Sequence, residues 1–473
     1  MRIGLSLKLL TYLILFVFPF IVYSPVILTN YAFLDDYTAT AFGMQHIQNL
    51  TTTQVMDSGR PLYAVFIREA FGAVRGISDL RFVRAFGIAG IGALCIAAYR
   101  ALVRVDVAAP AAFCVALMLG LMPSYQVIAG WAITAPYPWA ALSAAIAFNM
   151  QNSVNPDWRR VSGSMLLLTV ATTIYQPAAM VFWVFAAIAW LIPGRLPSIR
   201  SFSRAALIVI MAATVDFVLI KVLPIFFVHA ASDSRAVMTH DVAGKILWFV
   251  KYPIFEALNL FSIEPSVRRA VLVAAICCVG FIAIFRRQAV YGIAIALALL
   301  PAAYLPNLMT AGDWGAYRTQ VALGGIVLVI ATASVLELAR AMRFTRFVPL
   351  LGALMLGWAT FSSYQNVKYD FALPSWTEYR LISRGILATE FQPNDRACFV
   401  LPAPESDAAR DHRYDEFGIN SSAALWVPDP MVYLILSHQH SKDAGLFSRF
   451  GQFPNTQVLP GCKQINLQAM LAR

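Results

Sequence analysis

The sequence predicts a polytopic α-helical membrane protein. It has about eleven transmembrane helices, interfacial helices in its first outer loop, and a small α/β domain at the C-terminal end. Three observations predict this class. Of 473 residues, 59% are hydrophobic and only 13% are charged, whereas a soluble domain carries about 25% charged residues. Apolar windows long enough for membrane helices recur as far as residue 365. Arginines gather in alternate connections between those windows. A net charge of +11 in such a chain does not suggest nucleic acid, because cations strung between apolar spans report topology.

The windows lie near 9–29, 84–103, 110–130, 138–150, 161–175, 177–193, 205–228, 269–285, 288–306, 319–339 and 347–365. The first is too long for a signal-peptide core. Asp35 and Asp36 follow it instead of a small-residue cleavage site, so it is read as retained. The stretch 161–193 is either one long helix or two short ones broken at Tyr175-Gln176-Pro177, since proline is disfavoured inside a helix. Arg100 with Arg104, Arg159 with Arg160, Arg195 with Arg200 and Arg204, Arg286 with Arg287, and Arg340 with Arg343 and Arg346 occupy alternate short links. With Arg2 and Lys8 they put the N-terminus in the cytoplasm. An odd number of spans then puts the C-terminal region outside. The polar connections 30–83, 131–137, 229–268 and 307–318, and the tail from about 366, all fall on that outer face.

Within the first outer connection, residues 36–50 and 61–75 read as two amphipathic helices lying along the membrane, the second opened by Pro61. An alternative for 61–75 is a short span. Residues 242–262 form a candidate third interfacial helix. The chain divides into a membrane domain, 1–365, and an outer domain, 366–473. In the latter, 397–401 reads as a strand closed by Pro402, and 457–459 and 464–467 as further short strands. No internal repeat or low-complexity segment is evident.

Three outer loops hold residues suited to chemistry. Asp35 and Asp36 leave the first span together, and carboxylates there sit at the interface or line a cavity. Asp36 is slightly favoured as a general base, with Asp35 orienting it; its plainer role is to cap the following helix. Asp57-Ser58-Gly59-Arg60-Pro61-Leu62 is a turn feeding a helix start, so Arg60 beside that terminus makes an anion site suited to phosphate. Asp313 and Arg318 stand at the outer start of a later span. Tyr137, Tyr175 and Gln176 are further substrate-binding candidates, and His229, Asp233, Arg235, His240 and Asp241 weaker ones. The plainer roles are headgroup anchors for Arg60 and Arg318 and a simple kink at Tyr175-Gln176-Pro177. His229 and His240 lack ligand-like spacing. No zinc motif, phosphate-binding glycine loop or Ser-His-Asp pattern is present. No cofactor is expected, and no motif speaks for or against a divalent cation.

Leu34-Asp35-Asp36-Tyr37, Asp57-Ser58-Gly59-Arg60-Pro61-Leu62 and Thr173-Ile174-Tyr175-Gln176 resemble motifs of the bacterial Gtr-type glucosyltransferases that decorate O-antigen. The order of elements resembles the wider C-type (GT-C) glycosyltransferases. Two departures from the Gtr pattern are visible. Ser58 is inserted between the Asp and the Gly, and Thr38 stands where a basic residue is often found. The resemblance implies transfer of a monosaccharide, glucose by analogy, from a polyprenyl-phosphate donor to a glycan on a lipid or the cell surface. It implies a periplasmic active site in a multi-pass protein of the bacterial inner membrane. A donor synthase and a flippase would be its functional partners. The residues fit such a reaction independently. A carboxylate can take the acceptor's proton, and a phosphate leaving group needs cations and helix dipoles rather than an acid.

The alternative class is a lipid-linked sugar flippase or transporter. That class calls for ionisable groups in mid-helix, and here only Asp216 and Lys221 lie well inside a span, close enough to pair. A scaffolding subunit would leave the acids and arginines on one face without a purpose. Of six cysteines, four lie in spans. Cys398 and Cys462 fall in the tail, in an oxidising compartment by the topology, and are expected to form a disulfide.

Overall fold

The computed structural model describes residues 2–47, 55–56, 58–153, 155–194, 196–227, 237–285, 290–389, 396–410, 414–437 and 462–472. Over their described residues all eleven apolar windows are mainly helical. Four helices are long and apolar enough to cross a membrane: Ile77–Arg104, Ile199–Val222, Val321–Ala341 and Thr345–Leu387. A fifth results if Ala109–Leu119 and Pro123–Gly130, bent by 55°, are one broken span. Leu7–Val22, Gln176–Leu191 and Ile293–Ala303 are shorter apolar helices. The protein is therefore a helical membrane protein by composition and by element length.

The windows are divided where the sequence supplies a reason. Pro25 and Pro123 each sit in the first turn of a new helix, where proline fits and cannot continue the old one. Of the two readings of 161–193, the structure adopts the broken one. Trp158–Ile174 ends at an extended Tyr175, and Gln176–Ala179 starts anew with Pro177 in its first turn.

Leu80–Arg104 is the central helix, packed against Arg2–Val22, Ala109–Leu119 and Tyr137–Gln151. Its crossing with the first helix is close because Gly92 has no side chain. A Cβ there would lie 2.5 Å from the carbonyl oxygen of Phe16. Many outward residues of the long helices are apolar, among them Leu350, Leu354 and Phe361, which are 58%, 64% and 64% exposed. On a helix apolar enough to enter lipid, such a face is suited to acyl chains rather than to water.

Thr345–Leu387 is one helical run of 43 residues, about 65 Å at 1.5 Å per residue, roughly twice a hydrocarbon core. It passes through the expected boundary at 365/366 without a break, by way of a π turn at Lys368–Ala372. The tail's two strands, Arg396–Val400 and Cys462–Asn466, pair in parallel, with Cys398 opposite Gln464. The expected strand at 457–459 lies outside the described residues. The stretches expected to be interfacial contain the helices Asp35–Met44, Pro61–Gly72 and Val242–Lys251. The tail helix Pro428–Ser437 packs on Asp35–Met44, so the C-terminal segment bears directly on the connection 30–83.

Candidate active site

Asp35 opens the helix Asp35–Met44 just after a strained residue. Leu34 has φ 43° and ψ −113°, a conformation that a non-glycine residue holds only when its surroundings enforce it. The enforcement comes from the tail. The Leu34 N–H donates to Ser421 Oγ at 3.2 Å. The backbone N–H groups of Ser421 and Ser422 donate to the buried carboxylate of Glu378 at 2.9 and 2.7 Å. The Trp426 indole N–H then donates to Asp35 Oδ1 at 2.8 Å. Asp35 itself is half-buried.

Asp36 is different. Its side chain is fully buried. Oδ1 accepts the Ile133 N–H at 2.9 Å, and Oδ2 accepts those of Ala132 and Phe33, both at 3.2 Å. The Arg84 guanidinium lies 3.6 Å from Oδ2. These contacts engage nearly all of the roughly four lone-pair sites of a carboxylate. Burial pushes the Asp36 carboxyl up to about 6, against the pull of Arg84 and the three amides. Asp36 therefore ties the connection 30–83 to 131–137 through its backbone partners, whereas Asp35 is half-buried and held by Trp426. Nor does Asp36 cap the helix, for the N–H groups it accepts lie before the helix or on another loop.

Arg84 was not among the sequence candidates. It donates to the carbonyls of Gly130, Val26 and Tyr31 at 3.0, 3.3 and 2.7 Å, and its guanidinium lies 3.8 Å from the Tyr31 ring centroid. Its signal was an arginine at the edge of an apolar window, which is costly without partners.

Gly59 turns the chain into the second loop with φ +75°, a conformation that glycine adopts without steric cost. Arg60 then precedes Pro61–Gly72. Its Nε donates to Gln176 Oε1 at 2.8 Å, and its guanidinium lies 5.0 Å from the Tyr175 ring centroid. Gln176 donates in turn to Asp216 at 3.1 Å. Tyr175 is stacked on Tyr137, with centroids 3.7 Å apart and planes at 4°, and Tyr137 meets Tyr63 at 5.4 Å. Burial pushes the Tyr63 hydroxyl well up; Tyr137 and Asp35 add to this and Arg60 opposes it. Asp35 and Arg60 thus act on one hydroxyl with opposite sign. Asp216 makes no ion pair with Lys221 among the described residues; Lys221 lies over the Phe217 ring instead.

The third loop brings Arg318 to the same aromatic pair. Arg318 forms an ion pair with Glu416 of the tail and lies over Trp131 and Trp314, 4.7 and 5.3 Å from their centroids. Burial opposes its charge, but Glu416, Tyr175 and Tyr137 outweigh burial and hold its pKa above that of an ordinary guanidinium. Asp415 accepts the Tyr317 N–H at 2.5 Å. Glu416 is pushed well up by burial first and by Asp415 next, against Arg318. Tyr414-Asp415-Glu416-Phe417-Gly418 is visible as an acidic run in the sequence, but nothing local shows which loop it meets.

The remaining candidates separate. Asp313 is exposed and pairs with Lys245 at 3.0 Å. Asp241 caps Val242–Lys251 by accepting the Gly244 N–H at 2.8 Å. Asp57, His229, Asp233 and Arg235 lie outside the described residues. Cys398 is disulfide-bonded, and Cys95, Cys114, Cys277 and Cys278 are free; the side chain of Cys462 lies outside the described residues. Among the described residues no three His, Cys, Asp or Glu side chains cluster to hold a metal.

The candidate residues thus include a carboxylate held by Trp426, a guanidinium against Tyr175 and a guanidinium against Trp131 and Trp314. Groups of these kinds can accept a proton and hold an anion. No family model matches the chain, and no curated protein does.

Proposed function

We propose that the protein is a membrane glycosyltransferase of GT-C-like architecture with about eleven passes. In this reading it moves a monosaccharide, glucose by its resemblance to the Gtr-type enzymes, from polyprenyl phosphate to a glycan on the periplasmic face. The carrying observation is convergence. Arg60 lies 5.0 Å from the Tyr175 ring, which is stacked on Tyr137; Arg318, from a loop distant in sequence, feels the charges of both tyrosines; and Asp35 acts electrostatically on Tyr63, which packs on Tyr137. Anchors at a membrane surface would have no reason to meet.

The reaction is a single displacement with inversion. Asp35 accepts the proton of the acceptor hydroxyl. The freed oxygen forms a bond to the anomeric carbon, and the bond from that carbon to the phosphate oxygen breaks. Polyprenyl phosphate leaves with the electron pair, and Arg60 and Arg318 neutralise its charge. Asp36 and Arg84 hold the loop that carries Asp35.

The test uses purified full-length protein in proteoliposomes with radiolabelled polyprenyl-phosphate sugars and O-antigen glycan. Transfer of label into glycan is expected, with one sugar preferred. Movement of label across the bilayer without a new glycosidic bond would establish a flippase instead.

A further inference from the structure

Beside the arginine–tyrosine cluster lies a cavity of about 420 Å³, within the roughly 300–1,000 Å³ of small-molecule sites. Trp248, Tyr252 and Trp314 supply aromatic walls, and Glu256, Asp313 and Asp415 supply carboxylates. We infer that this cavity binds an uncharged pyranose ring of the acceptor glycan. Calling that sugar the acceptor rests on the transferase reading; its binding does not.

Three arguments support the assignment. Two walls belong to the segment Val242–Lys251 and the turn just after it, where Trp248 is half-buried and Tyr252 is 57% exposed. Flat aromatic faces at a wet surface suit the C–H face of a sugar, since such rings pair an apolar body with a polar rim. Carboxylates such as those of Asp313 and Asp415 accept hydrogen bonds and donate none when ionised, which suits neighbouring hydroxyls and repels an anion, while Glu256 is engaged by Tyr414 and Gln320. Lys245, a cation beside these walls, is engaged: its ammonium donates to the Gly312 carbonyl at 2.7 Å and to Asp313 at 3.0 Å, and lies 4.2 Å from the Trp248 centroid. A phosphate-bearing donor therefore belongs with Arg60 and Arg318, and an uncharged sugar belongs here.

The cavity is also joined to the reaction site. Trp314 forms its wall and meets Arg318 at 5.3 Å. Asp415 lies on the cavity, and its neighbour Glu416 pairs with Arg318. A sugar seated against Trp314 thus lies one side chain from the cation assigned to the donor phosphate. Tyr414 fixes the floor by donating to Glu256 at 2.5 Å.

Saturation-transfer NMR on the full-length protein in lipid nanodiscs tests this. The probes are the methyl glycosides of glucose, galactose, rhamnose and N-acetylglucosamine, with methyl glucuronide as the anionic control. At least one uncharged glycoside should receive saturation and the glucuronide should not. Trp248→Ala and Tyr252→Ala should each weaken the signal roughly three- to tenfold, the scale of one lost aromatic face, and Trp248→Phe should keep most of it. No uncharged glycoside bound by the wild type, or binding that survives both alanine variants, overturns the inference. Glycoside binding without any sugar transfer would remove the transferase reading and leave the cavity assignment standing. Transfer without glycoside binding would do the reverse.

Discussion

At the residue scale, two adjacent aspartates have unlike surroundings, and each makes its own prediction. Asp36→Asn replaces a buried carboxylate that accepts three backbone N–H groups and faces Arg84. Breaking a buried pair by removing one partner costs about 3–5 kcal/mol, so this variant should lose thermal stability in detergent as well as activity. Arg60→Ala and Arg318→Ala should raise the KM for the lipid-phosphate donor more than that for the acceptor. Arg60→Lys should rescue only in part, because a point charge does not hold phosphate as a planar fork does. Unchanged donor KM in both alanine variants would return these arginines to the role of anchors. Glu256 makes a pH prediction. Burial, with a smaller push from Asp415, raises its pKa from 4.5 to about 7 against Tyr414 and Gln320. The folded state therefore keeps a proton that the unfolded chain has lost, and stability falls as pH rises from 4.5 towards 7. Glu256→Gln should flatten that part of the curve of melting temperature against pH; parallel curves would count against the assignment. The sequence displayed Asp35 and Arg318 because they lie near the ends of apolar windows, and Arg60 because it precedes a helix start at Pro61. It could not show how their surroundings differ, since Asp36 meets Arg84 on another helix and Ala132 and Ile133 on a loop about a hundred residues away.

At the element scale, apolar periodicity made every helix window legible, together with the break at Tyr175-Gln176-Pro177. It did not reveal which windows run unbroken. Thr345–Leu387 continues past residue 365 because Gln365, Asn366 and Asp370 find partners in Arg410 and Gln126, contacts with no local signature. Helix packing is also tertiary information, and Gly92 carries it at the crossing with the first helix. Gly92→Val should push these helices apart by a few tenths of an ångström or more, since its Cβ would meet Phe16 backbone atoms at 2.5–3.1 Å. Overpacking of this kind costs about 1–3 kcal/mol. A lower melting temperature and a smaller folded yield are expected; wild-type stability would mean that the crossing yields freely.

At the scale of the whole molecule, the tail completes the site. Trp426 holds Asp35, Ser421 and Glu378 hold the strained Leu34, and Glu416 holds Arg318. This arrangement requires the tail and the first outer loop to share a compartment. Single cysteines placed at Asp157 and Asp407 should react with impermeant reagents from opposite faces of the membrane, and reaction from one face would end the topology. The composition of the tail marked it as a separate region, yet its acidic run and Trp426 acquire meaning only from residues about 100 to 390 positions away. In the proposed reaction one carboxylate, Asp35, held by Trp426 of the tail, is the base, and two arginines hold the leaving phosphate. The most direct measurement of that claim is the rate of sugar transfer by purified Asp35→Asn protein, with its folding checked against the wild type. The account predicts a loss of about two to four orders of magnitude, the usual contribution of a general base, with melting temperature little changed. Transfer at the wild-type rate by a folded Asp35→Asn protein would contradict it.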